Sequence, residues 1–197
     1  SGTVAAEATA YEAQQERLAE LRAAVELSKA GDEADYAAAV ARLQQGSMAA
    51  FSELSKLRHT TAVAKIPHMI AHITDTLDGN DDKLIFFAHH RDVIAALETE
   101  FPGAAVITGD TPMQARQDAV DRFQNNPKCR LFLGNIQAAG VGLTLTAASH
   151  VVFGELDWVP GNITQAEDRA HRIGQTESVL VQHLVLEGSL DAKMAKT

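Results

Sequence analysis

Cysteine is nearly missing from this chain of 197 residues: Cys129 is the single one. That excludes an internal disulfide and a cysteine-based zinc site. Cys129 opens an apolar run, so a small buried residue is expected there. Long apolar runs are missing too, and none approaches the roughly 20 residues that span a bilayer. The opening "SGTVAAEATA" has neither a basic n-region nor an apolar h-region, so no secretory signal is expected. Its Ser-Gly reads as a cloning remnant on a piece of something larger. Positive charge is scarce: 17 Lys and Arg face 26 Asp and Glu, a formal net charge of −9. A free-standing nucleic-acid binder is ordinarily basic, although a domain that touches phosphates with a few loops can be acidic elsewhere. No GxxxxGK[ST] occurs anywhere, so the chain has no P-loop.

What is present is a hydrophobic fraction of 46%, enough for one α/β domain with a substantial core and an appendage. The first fifty-odd residues are rich in Ala, Glu, Leu and Arg. Leu18, Leu21, Val25 and Leu27 form a rough helical stripe, Gly31-Asp32 punctuates it, and a second helical pattern follows through Arg58. Residues 1–60 are therefore expected to form a helical arm, as a projection or as a plain hairpin, and 61–197 the main domain. From about Ala62 the pattern alternates. Strands are expected at 83–88, 104–109, 129–135, 150–155 and 179–187, and helices at 63–78, 90–100, 112–125 and 162–172. Nearly continuous apolar strands separated by helices predict a mainly parallel, doubly wound sheet with helices on both faces. Ligands bind such sheets at the carboxyl ends of the strands, which directs attention to "HHRD", "GDTP", "GNIQAAGVG" and "ELDWVPGN".

Two of the remaining stretches carry chemistry. Gly140-Val141-Gly142 follows a strand, and its glycines permit close approach of a ligand to backbone amides. The same glycines fit an ordinary βα turn, and GxGxxG fails at Leu145. In "QAEDRAHRIGQ", Gln165, Arg169 and Arg172 fall on one face of a helix. Two guanidiniums on one face suit a polyanion, while Asp168, four before Arg172, offers an intrahelical ion pair. A triphosphate site would need a P-loop, a lysine and a magnesium ligand from another domain. His68 and His72 have a spacing that can bind metal, but no third ligand is evident and no metal is expected. Trp158 suits a base-stacking platform or a loop anchor, and His171 a proton relay or a packed helix position.

"QAEDRAHRIGQ" resembles motif VI of the SWI/SNF family of DNA-translocating ATPases, within the superfamily-two helicases. "GVGLTLTAASHVVFGELDWVPGN" resembles the motif V region, "KLIFFAHHRDVI" motif IV, and "ITGDTPMQARQDAVDRFQ" the segment after it. Order and spacing agree from about Thr60 to Ser189, with wording similar to the annealing-helicase branch. The resemblance implies a RecA-like second lobe, the helicase C-terminal domain of a double-stranded DNA translocase, with residues 1–60 as its protrusion. It implies partners: the N-terminal RecA-like lobe of the same polypeptide, which holds most of the contacts to ATP and Mg2+, and double-stranded or forked DNA. No membrane partner is expected. By the same resemblance Arg169 and Arg172 are arginine fingers assisted by Gln165, and Gly140 and Gly142 lie near the nucleotide. His89, His90, Arg91, Thr111, Asn135 and Gln137 approach the DNA backbone. The location implied is nuclear in a eukaryote and the nucleoid-associated cytoplasm in a bacterium. The isolated lobe is expected to be inactive. Two positions depart from the family pattern: Val159 stands where many members have Asn, and Asn135-Ile136-Gln137 where many have Ser-Thr-Arg. A stand-alone nucleic-acid or protein interaction module derived from such a lobe is the alternative.

Overall fold

The computed structural model describes residues 2–79, 81–138, 145–156, 178–187, 189, 191 and 192. The chain divides into two compact units, one built on Ser1–Thr61 and the segment beginning at Leu186, the other on Ala62–Val185.

The first unit is helical. Helix α1 spans Gly2–Ser28 and helix α2 spans Glu33–Gly79, of which the part as far as Thr61 belongs to this unit and the rest to the second. Alanine-rich sequence without proline favours both as far as Ile66. Between them the chain turns at Gly31, whose amide donates to the Ser28 carbonyl at 3.0 Å. Asp32 then caps α2, its Oδ1 accepting the Asp35 amide at 2.8 Å. Gly46 lets the helices close, since a Cβ there would lie 2.5 Å from Leu21 Cδ1. Val25, Ala39, Ala50 and Leu54 are buried in this unit, and Arg58 pairs with Asp191 at 3.7 Å.

One expectation is corrected. The helix expected at 63–78 is not separate: α2 runs through it and through Pro67. No glycine or asparagine between Arg58 and Ile66 supplies a C-cap. An interior proline costs about 3 kcal/mol. Full burial of Met69 and Ile73, at about 1.5–3 kcal/mol each, offsets it.

The second unit is the sheet expected from sequence. Its elements are β1 (Leu84–Ala88), α3 (Arg91–Glu100), β2 (Ala105–Ile107), α4 (Met113–Asn125), β3 (Leu131–Asn135), β4 (His150–Phe153) and β5 (Leu180–His183). The strand order is β2-β3-β1-β4-β5 and every pairing is parallel. Every residue of β1 and β3 is buried, as strands covered on both faces require. On one face Ile85, Phe87, Phe132 and Phe153 pack with Val120 and Phe123 of α4. On the other, Leu84, Phe86 and Val152 pack with Met69 and Ile73 of α2 and with Val93, Ile94 and Leu97 of α3. The helix expected at 162–172 lies outside the described residues.

Aromatics are only 5% of the chain, yet four phenylalanines converge on the α4 face. The Phe87 ring lies 5.3 Å from Phe153 and 6.4 Å from Phe132, which lies 5.5 Å from Phe123. Gly134 makes room for them: a Cβ there would come within 2.8 Å of Phe87 Cε1 and 2.9 Å of Phe132 Cε1. Neither ring can yield in a core this dense. Gly134→Ala is therefore expected to lower stability by about 1–3 kcal/mol. Gly103→Ala, with nothing within 4 Å of the added Cβ, is the control expected to be near neutral. Urea midpoints measured on both test this, and equal midpoints would sink it.

Candidate functional site

The five described strands run the same way, so their carboxyl ends share one edge. His89, His90 and Arg91 follow β1, Asp110 and Thr111 follow β2, Asn135 ends β3 with Gln137 just beyond, and Glu155 follows β4. The six expected DNA-facing residues are thus brought to one edge. Gln165, Arg169, Arg172, Gly140 and Gly142 lie outside the described residues, as do Trp158 and His171.

The β1–α3 turn is held from two sides. Glu155, only 3% exposed, accepts the amides of His89 and His90 at 2.9 and 3.0 Å and His90 Nδ1 at 2.5 Å. Burial alone would raise the Glu155 carboxyl. The His90 ring, with the amides of His90 and His89, outweighs burial and holds it below its ordinary value. From β3, Asn135 Nδ2 donates to the His89 carbonyl at 2.6 Å, and its Oδ1 accepts the amides of Gln137 at 3.0 Å and Ala138 at 3.4 Å. Asn135, expected to face DNA, is instead buried and committed at both ends to the protein's own backbone. Gln137 is exposed. The His89 and His90 rings meet edge to face at 4.9 Å.

Arg91 is the first residue of α3 and forms a two-pronged pair with Asp110. Its Nη1 donates to Oδ2, and its Nη2 to Oδ1 at 2.9 Å. Asp110 rides on a braced loop. The Thr111 hydroxyl accepts the Thr108 amide at 2.9 Å. Arg116 donates to the carbonyls of Thr111, Gly109 and Thr108 at 2.8, 3.1 and 3.2 Å. Thr111, also expected to approach DNA, thus carries its hydroxyl inside the loop.

His72 reaches the sheet. Its Nε2 lies 3.2 Å from Gln182 Oε1, which is also 2.7 Å from His150 Nε2. Among the described residues no group of three or more His, Cys, Asp or Glu gathers as a ligand set, and no helix is long and apolar enough to cross a membrane.

Sequence reasoning gave no role to Glu155 or Asp110. A carboxylate closing an apolar strand was the available signal for the first, since buried acids are rarely left unpaired. Asp110 stood in a segment already singled out, but its partner is nineteen residues away in sequence.

A parallel α/β sheet with its polar residues gathered at the carboxyl edge is the architecture of a RecA-like lobe. The chain belongs to the helicase conserved C-terminal domain family, whose model matches residues 64–174, and is a C-terminal helicase lobe of the SWI/SNF type. It is similar to the human "DNA annealing helicase and endonuclease ZRANB3", 42% identical over 146 residues, which covers 72% of this chain and 13% of that protein. It is similar also to the Caenorhabditis elegans homolog of "SWI/SNF-related matrix-associated actin-dependent regulator of chromatin subfamily A-like protein 1", 40% identical over 141 residues, 68% of this chain and 20% of that protein. The chain thus spans a fifth or less of the length of these curated relatives. Among solved structures, the C-terminal part of the Fun30 ATPase domain superposes with a TM-score of 0.62 at 26% identity, over 67% of this chain and 44% of that one.

Proposed function

We propose that this chain is the second motor lobe of an ATP-dependent double-stranded DNA translocase, with Arg169 and Arg172 as arginine fingers, Gln165 beside them, and Gly140 and Gly142 near the nucleotide. The observation that carries this reading is a mismatch in the chain's equipment. "QAEDRAHRIGQ" supplies paired arginines for a polyphosphate, yet no GxxxxGK[ST] supplies a cradle. A lobe with fingers and no cradle completes a site whose other half lies elsewhere. The buried acid at the described sheet edge agrees, because Glu155 is committed to the amides of His89 and His90 and to the His90 ring. ATP and its Mg2+ therefore fall mainly to the N-terminal lobe, and closure of the two lobes over ATP moves them along DNA. On the DNA side His89, His90, Arg91 and Gln137 meet the backbone, while Asn135 and Thr111 hold the loops that present them. Duplex or forked DNA is the partner, and a chromatin or nucleoid location follows from it.

Purified residues 1–197 are expected to hydrolyse ATP at background rate with or without duplex, while the longer polypeptide is stimulated by duplex. DNA-stimulated turnover by 1–197 alone would overturn the division of labour. A longer polypeptide indifferent to DNA would overturn the translocase reading and favour the interaction module.

A further inference from the structure

Arg91 stands at a position that helix stability does not favour. It is the first residue of α3, where the helix dipole presents its positive end to a cation. Its guanidinium reaches Asp110 although the two follow β1 and β2, which are not neighbours: β3 lies between them. Both side chains are largely exposed, 64% for Arg91 and 71% for Asp110. The backbone beneath each is held. Glu155 and Asn135 fix the turn leading into Arg91, and Arg116 fixes the loop carrying Asp110. The carboxylate offers two oxygens to the two prongs of the guanidinium, the geometry in which arginine also takes two oxygens of a phosphate. An exposed pair of this kind is weakly held. A DNA phosphate replacing the carboxylate keeps the two-pronged hydrogen bonding and adds counterion release.

We propose that Arg91 and Asp110 form a phosphodiester subsite that the lobe keeps occupied by its own carboxylate. Asp110 fills the fork of Arg91 in the free lobe, and a backbone phosphate of duplex DNA displaces it on binding. Asp110 is then an intramolecular competitor that sets the DNA affinity of this edge. The proposal rests on the reading of the β1–α3 turn as a DNA contact.

The test is the anisotropy of a fluorescein-labelled, mixed-sequence duplex titrated at low salt with the full chain, as wild type, Asp110→Asn, Arg91→Ala and the double variant. Asp110→Asn is expected to tighten binding about two- to five-fold, the range set by an exposed ion pair. Arg91→Ala is expected to weaken it and to reduce the salt slope by about one phosphate's worth. In the Arg91→Ala background Asp110→Asn is expected to change nothing. Equal tightening with and without Arg91 means that loss of a negative charge suffices, and overturns the subsite. If Arg91→Ala weakens binding but Asp110→Asn does not tighten it, the competitor falls while the DNA contact stands. If Arg91→Ala binds as wild type, the DNA contact at this residue falls and the subsite with it. Binding by none of the four forms overturns both. Urea midpoints of the variants, expected to match wild type because the pair is exposed, keep misfolding out of the comparison.

Discussion

Arg172→Ala in the longer polypeptide that the proposed motor requires is expected to lower kcat for ATP by about 10³–10⁵-fold, the loss typical when an arginine finger is removed from phosphoryl transfer. On the finger reading the stability of the lobe is expected to stay within about 0.5 kcal/mol of wild type. A finger acts on charge that develops only in the transition state, so KM for ATP should move far less than kcat. Arg169→Ala should behave in the same way. Arg172→Lys should rescue poorly, because an ammonium lacks the planar fork that spans two phosphate oxygens. The competing explanation is Asp168, placed four residues before Arg172 for an intrahelical ion pair. That pair is worth only about 0.2–0.5 kcal/mol and predicts preserved turnover with a slightly earlier melt. Steady-state ATPase and thermal melting on the same substitutions separate the two, and turnover that survives both alanine variants would remove the finger assignment.

The sheet was legible because burial on both faces writes itself into sequence as short apolar runs. "LIFFA" and "LFLGN" became fully buried strands that pair in parallel register, Leu84 opposite Leu131 through Ala88 opposite Asn135. The end of the first helical segment was less legible. Composition changes near Ala62, but composition reports what a helix packs against and not where it stops, and α2 continues to Gly79. The site was legible by place and not by partner. A parallel sheet dictates that the segments after the strands share an edge, so the placement of His89, His90, Arg91, Thr111, Asn135 and Gln137 there could be named in advance. Which side chains face a ligand and which hold the loops depends on pairings between distant residues. Asn135 reaches back to His89, and Glu155 reaches the same turn across more than sixty residues. No local pattern encodes those distances.

Glu155→Ala is expected to destabilise the described sheet edge by about 3 kcal/mol, because it removes a buried carboxylate from three part-buried donors. The amides of His89 and His90 and the Nδ1 of His90 would all lose their acceptor. For a chain of this size that is roughly 2–4 °C of Tm per kcal/mol, so a drop of about 6–12 °C. Glu155→Gln retains one acceptor oxygen but turns an amide group toward a remaining donor, and about half that loss is expected. The two variants also test the charge. The Glu155 carboxyl is held below its ordinary value of 4.5 in the folded protein. Its ionised form is therefore favoured by folding, and the contribution is present in full above the unfolded value. It is lost as pH falls through the lower, folded value. Stability of the wild type should accordingly decline with acid below about pH 4.5 more steeply than that of Glu155→Gln, and the gap between them should narrow. Urea unfolding of both forms across the acid range reads this directly. Parallel acid limbs would mean that the carboxylate contributes as a hydrogen-bond acceptor alone, and that its charge does not hold the β1–α3 turn.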